Sequence, residues 1–273
     1  LQVEGAQIEI GGSAGVPATN LTSGQTRLIV DPGTYAQEIS THPAPWQGWR
    51  GIVSGGFSQI SATQNASSYT GSLNVQRPIP ALDWLPQGSN TVLHFQGTYG
   101  KLSQPGEPTV VTSIYTGGLE QDQDVSSRLF AFGNGQFDHN LAQGLELQQA
   151  YGGGVGWKLI DSSETQLALK ADLHWTHQHF LTSADDNFLA SSLSESLRQS
   201  YYGKVIWTET ISLTPSITNR TAYQMAALSS WAVPLYKALS LNFTFVDSYL
   251  NNPQPGFLKN SLQLSTGLQI TVK

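Results

Sequence analysis

The sequence predicts an all-β fold: an antiparallel up-and-down transmembrane β-barrel of about twelve strands, within a range of roughly 10–12. Three observations predict it. Long segments alternate apolar and polar residues with the period of two that a strand imposes. Only 12% of the 273 residues are charged, about half the ~25% of an average domain. Hydrophobic content is 39% and mean hydropathy is -0.21, so no segment approaches the roughly 18–20 apolar residues of a membrane-crossing helix. A soluble protein so poor in charge needs a more apolar interior than this. A barrel resolves the tension, because apolar residues face lipid while Ser, Thr, Asn, Gln and Gly face the lumen.

Taken in order, residues 1–45 read as an N-terminal β-rich extension. Two short β-like runs, 7–10 and 26–30, lie among Gly, Ser, Pro and Thr. They lead to the turn Asp31-Pro32-Gly33 and the stretch His42-Pro43-Ala44-Pro45. Residues 46–273 read as the barrel domain, with strands expected at 49–62, 68–77, 90–101, 109–119, 128–139, 145–160, 165–180, 193–209, 212–228, 238–250 and 260–273. Connections such as Pro105-Gly106-Glu107-Pro108 and Asp161-Ser162-Ser163-Glu164 are turn-rich. Eleven runs is an odd number, and single-chain bacterial barrels usually have an even one. Either the extension supplies a strand or a run is miscounted. The weakest segment is 187–200, where Phe188, Leu189, Leu193 and Leu197 also fit a short helix.

The alternation assigns faces. Leu145, Leu147, Leu169, Leu173, Leu239, Leu241, Phe243, Leu262, Leu264 and Leu268 are expected to face lipid. Glu146, Gln148, Lys158, Lys170, Asp172 and Lys204 are expected to face the lumen, since a charge turned to mid-bilayer lipid costs about 2–4 kcal/mol. Aromatics such as Trp49, Tyr99, Tyr151, Trp157, Trp175, Trp207 and Tyr249 lie near strand ends, where interfacial girdles place them.

Residues that could carry chemistry read more plainly as structure. The run Gly152-Gly153-Gly154-Val155-Gly156 has no helix after it to hold a phosphate, so it serves strand curvature or close backbone approach. His177 and His179 share a strand face while His174 and Asp172 point the other way, leaving too few ligands for a metal. Glu120, Asp122 and Asp124 read as a solvated hairpin tip. Asp138-His139-Asn140 has proton-relay residue types, but no Gly-x-Ser-x-Gly elbow accompanies it. Cysteine is absent, and a net charge of -6 without a basic run excludes a nucleic-acid partner. No catalytic residue, metal or cofactor is expected.

Several ordered motifs carry a resemblance. They are Trp49-Arg50-Gly51 with Gly55-Gly56-Phe57-Ser58, Arg128-Leu129-Phe130-Ala131-Phe132-Gly133 followed by Phe137-Asp138-His139-Asn140, and Gly144-Leu145-Glu146-Leu147-Gln148-Gln149. Next come Tyr151-Gly152-Gly153-Gly154-Val155-Gly156-Trp157 and Pro253-Gln254-Pro255-Gly256 before Lys259-Asn260-Ser261. Over residues 46–273 the chain resembles the YdiY-like, salt-induced outer-membrane protein family, a domain of unknown function. The resemblance implies an outer-membrane β-barrel and supplies no catalytic residues. The expected role is non-enzymatic, porin-like small-solute passage or envelope structure in a bacterial outer membrane. Outer-membrane lipid and a second copy in a homo-oligomer are the expected partners. The competing reading is a soluble or surface-exposed β-protein, such as a carbohydrate-binding module or filament subunit, whose strands would run about six residues. Leu1 marks a mature or trimmed chain. Since even-numbered residues are apolar at the end, an aromatic residue is expected after Lys273.

Overall fold

Twelve long antiparallel strands close on themselves in the computed structural model, which describes residues 2–4, 7–10, 19–22, 33, 44, 46–61, 65–79, 88–202, 204–219 and 222–272. The chain divides into two compact units, residues 1–47 with 82–86 and residues 48–81 with 87–273. The first holds strands β1 (Gln2–Glu4), β2 (Gln7–Ile10) and β3 (Thr19–Thr22) in an antiparallel sheet of that order. The expected run 26–30 lies outside the described residues.

The second unit is the barrel. Its strands are β4 (Arg50–Ser61), β5 (Asn65–Ile79), β6 (Ser89–Ser103), β7 (Val110–Asp124), β8 (Leu129–Asn140) and β9 (Leu145–Asp161). They continue with β10 (Thr165–Phe180), β11 (Asp186–Tyr201), β12 (Val205–Pro215), β13 (Tyr223–Tyr236), β14 (Leu239–Leu250) and β15 (Asn260–Val272). Each strand pairs with its sequence neighbour, and β15 returns to β4. Strand lengths of 11 to 17 residues are about twice or more the usual five or six. This excludes the short-stranded sandwich.

The twelfth strand comes from 186–236, not from the N-terminal extension. Three strands occupy the region where the sequence suggested two, because the chain turns at 202–204 and again at 216–222. Segment 187–200 is a strand, with Phe188 and Ala190 buried on one face and Leu189 and Leu193 exposed on the other.

The pleat sorts side chains as alternation requires. Along β10, His174, Thr176 and Gln178 are buried, whereas Leu173 and Trp175 are 57% and 45% exposed. Following the register around the barrel, the buried set is the inner face and the exposed set the outer one. Among the described residues, one end of the barrel carries the connections 104–109, 141–144, 181–185 and 251–259 and the start of β13. The other carries the short turns 125–128, 162–164 and 237–238, the start of β4 and the end of β15.

Candidate functional site in the barrel interior

The inner face has two unlike walls. On β4, β5, β14 and β15 it presents Ser54, Ser58, Ser68, Thr70, Ser72, Asn242, Thr244, Ser265 and Gln269, held to one another by contacts such as Ser54–Ser72 at 2.6 Å and Asn242 to Gln269 at 3.0 Å. Small hydroxyl side chains leave open volume. A cavity of about 770 Å³ borders Ser58, Ser68, Thr70, Thr244 and Ser265 of this wall together with outer-face residues such as Phe57, Trp231, Phe243 and Leu264.

The facing wall, on β7 to β10, carries the charge. Gly152, Gly154 and Gly156 of β9 form its floor, and a Cβ on Gly156 would lie 2.0 Å from the Phe130 ring. The missing side chains let Phe130 and Phe132 lie flat and buried against the sheet. Lys170 stands over both rings at 5.8 and 5.3 Å, and Lys158 over Phe130 at 5.9 Å, distances at which an ammonium is attracted to a ring face. Each lysine also meets a carboxylate from β7: Lys170 pairs with Glu120, and Lys158 donates to both oxygens of Asp124 at 2.9 and 2.8 Å. Further along, Asp172 accepts from the His174 ring at 2.7 Å and from the Ser192 amide at 3.1 Å.

Toward the end with the longer connections, glutamines pack the interior. Asp138 accepts from Thr116, Gln136 and Gln148 at 2.9 to 3.1 Å. Gln148 in turn accepts from Gln178 at 2.7 Å and from Gln224, four strands round the barrel, at 2.6 Å. Gln143, in the turn before β9, donates to the carbonyls of Ser248 and Lys259 at 3.0 and 2.7 Å. Leu145, Phe180 and Leu250 form an apolar cluster beside them. This interlocked cap fills the inner face over β8 to β10, β13 and β14.

Gln148, Lys158, Lys170 and Asp172 thus stand on the inner face, and Lys158 and Lys170 share one charge-paired wall. Glu146 and Lys204 do not. Glu146 is the extra residue of a β-bulge, since Leu147 pairs with His179 while Leu145 pairs with Phe180. Its carboxylate is exposed, 3.4 Å from His179. Lys204 sits exposed in the turn after β11. The bulge also overturns Leu145, which is 4% exposed and buried in the cap instead of facing outward. Of the other expected apolar residues, Leu173, Phe243, Leu262, Leu264 and Leu268 are exposed on the outer face, and Leu147, Leu169, Leu239 and Leu241 are half-buried there.

Glu120, Asp122 and Asp124 are not a hairpin tip. They lie on β7 with their side chains on the inner face. Asp138 and His139 face opposite sides, so they form no relay; His139 instead meets Ser113 at 3.1 Å and the Glu146 carbonyl at 2.6 Å. His177 and His179 are taken up by Asn187 at 2.8 Å and Asp185 at 2.5 Å. Among the described residues no three His, Asp or Glu side chains converge as metal ligands would.

Residues 54–272, almost the whole barrel, match the model of a family described as a protein of unknown function, DUF481. The chain belongs to the DUF481 family. No curated protein matches this DUF481 chain. Among solved structures it is similar to the NanC porin, at 7% identity with 82% of this chain and 99% of the other covered and a TM-score of 0.45. It is also similar to the COG4313 outer membrane channel of Pseudomonas putida F1, at 12% identity, 89% and 100% coverage and a TM-score of 0.47. A third is the translocator domain of the autotransporter NalP of Neisseria meningitidis, at 11% identity, 82% and 88% coverage and a TM-score of 0.42.

Proposed function

We propose that this barrel sits in a bacterial outer membrane and passes small polar solutes through its lumen without catalysing a reaction. The observation that carries the reading is the two-walled interior: hydroxyls on one side, and Lys158 and Lys170 matched to Asp124 and Glu120 on the other. Such a lumen offers hydrogen bonds to a neutral or zwitterionic solute, and each of its two lysines on this wall is held by a carboxylate. The outer face supports the location. Val53, Phe57, Leu73, Phe95, Leu119, Val155, Leu193, Ile211 and Leu264 are all more than a third exposed, a surface that suits hydrocarbon. Stacked aromatics, Tyr223 on Tyr249 near one end and Trp207 on Trp231 near the other, sit where interfacial girdles lie. Short turns mark the periplasmic side of such barrels and longer connections the outside, so the glutamine cap faces outward and gates entry.

Liposome swelling tests this. Vesicles holding the purified barrel are expected to swell in a small neutral sugar and to resist a large oligosaccharide. Vesicles that respond no faster than protein-free ones, with heat-modifiable folded protein present in the bilayer, would sink the reading.

A further inference from the structure

The barrel is not equally closed all the way round. Among the described residues, strands β15 and β4 pair over five positions, from Leu268–Gly55 to Val272–Gly51. The other seams carry from nine to fifteen paired positions. Both strands nonetheless continue past the last pair: β4 runs on to Ser61 and β15 begins at Asn260. The paired half lies toward the chain-terminal end, and the parted half toward the glutamine cap. Where they part, β4 loses its alternation. Phe57 to Ser61 are all exposed whichever face they occupy, with inner-side Ile60 at 56%.

The cavity of about 770 Å³ lies at this opening, and its lining comes from both sides of the wall. Phe57, Phe243, Phe245 and Leu264 belong to the outer face, whereas Ser58, Ser68, Thr70 and Ser265 belong to the inner one. Phe57 is held on the β5 side of the opening by its ring contact with Tyr69 at 5.0 Å. Unpaired strand edges are costly in hydrocarbon, so backbone without a ladder at membrane depth is expected only where it meets water or a polar ligand.

From this juxtaposition we propose that the parted β4–β15 seam is a lateral portal, admitting a single-chain amphiphile with a neutral, hydroxylated head from the surrounding membrane leaflet. The aromatic rim receives the hydrocarbon tail. The hydroxyl wall and the unpaired strand edges receive the head. The inner-face residues that line the cavity, Ser58, Ser68, Thr70, Thr244 and Ser265 among them, bring no charge to attract an ionic one. The volume falls within the roughly 300–1,000 Å³ of small-ligand sites. This portal rests on the membrane placement proposed above, but it is a separate route from axial passage.

Continuing the register would set Ser58 opposite Ser265, and the chain has no cysteine of its own. A Ser58→Cys/Ser265→Cys variant of the full chain in lipid nanodiscs can therefore be locked by oxidation and reopened by reduction. The probe is dodecyl glucoside bearing a photoreactive diazirine on its glucose head, with a tail-labelled form for the outer face, and labelled residues are mapped by mass spectrometry. Open protein is expected to label at inner-face Ser68 and Thr70. Locking is expected to lower that labelling about tenfold, reduction to restore it, and labelling at outer-face Leu173 to stay constant throughout.

Inner labelling that persists with the seam locked would mean entry through the barrel mouth, and would overturn the portal. So would absence of inner labelling in the open protein, or cross-linked pairs of chains in its place. Where the disulfide does not form, Ser265→Trp narrows the opening; inner labelling equal to that of the unaltered chain would again overturn it. Sugar swelling measured on the same locked sample separates this outcome from failure of axial passage.

Discussion

At Gly156 a hydrogen atom decides where an aromatic ring and two lysines can stand. Gly156→Val would drive a side chain into Phe130, and overpacking of this kind costs about 1–3 kcal/mol. The expected outcome is a lower urea midpoint in a vesicle refolding titration, with the barrel still heat-modifiable. Lys158→Met leaves Asp124, whose side chain is 7% exposed, without its ammonium, and is expected to cost about 1–3 kcal/mol. Adding Asp124→Asn should recover part of that loss in a double-mutant cycle; strict additivity would show the pair to be uncoupled. These residues were only half legible in the sequence. The period-two spacing of Glu120, Asp122 and Asp124 is that of one strand face, yet a dense run of charge reads as a solvated tip when no partner is visible. The partners, Lys170 and Lys158, lie 50 and 34 positions away, and only the folded register brings them near.

At the scale of the element, the long alternations became strands where the pattern was strong, and β10 has the bounds that its alternation gave. Two misreadings have physical causes. The pattern Leu145-Glu146-Leu147 looks like uninterrupted alternation, but a bulge at Glu146 reverses the parity of Leu145, and a bulge leaves no mark on period two until the partner strand is known. Deleting Glu146 is expected to leave Leu145 facing inward, because Leu145 would then directly precede outward-facing Leu147 and the strand would alternate without the bulge. Leu145→Ala instead empties the place beside Phe180 and Leu250. Loss of a buried leucine costs about 2–5 kcal/mol, and a urea midpoint unchanged from the parent would contradict this account. The missing strand is the second case. The turn at 202–204 is built on Tyr202 with φ of 53°, a left-handed conformation usually taken by Gly or Asn. Tyr201, Tyr202 and Val205 look strand-like, so the sequence reads straight through the turn.

For the whole molecule, the prediction that separates a barrel from a soluble β-protein is migration on a gel. Detergent-solubilised protein should run differently before and after boiling, and equal migration with solubility in plain buffer would defeat the barrel reading. The cap gives a second test. Gln148→Ala/Gln224→Ala removes the link across the lumen and is expected to raise single-channel conductance in planar bilayers; unchanged conductance would mean that the cap does not limit flow. The number of strands and the sidedness of their faces were largely readable from periodicity, whereas the cap was not, because its glutamines converge from distant strands and turns. The incomplete seam has a further consequence, for the order in which the ring assembles. Every other barrel ladder joins strands adjacent in sequence, but β4 meets β15 by joining Gly51 to Val272, a loop whose closure entropy is the largest in the barrel. With five pairs to offset it, this joint should form last. During refolding into vesicles, a donor–acceptor pair placed at Val53 and Ile270 should report proximity only after a pair placed at Met225 and Tyr249 has done so, and until then both edges stand open to a strand from another chain.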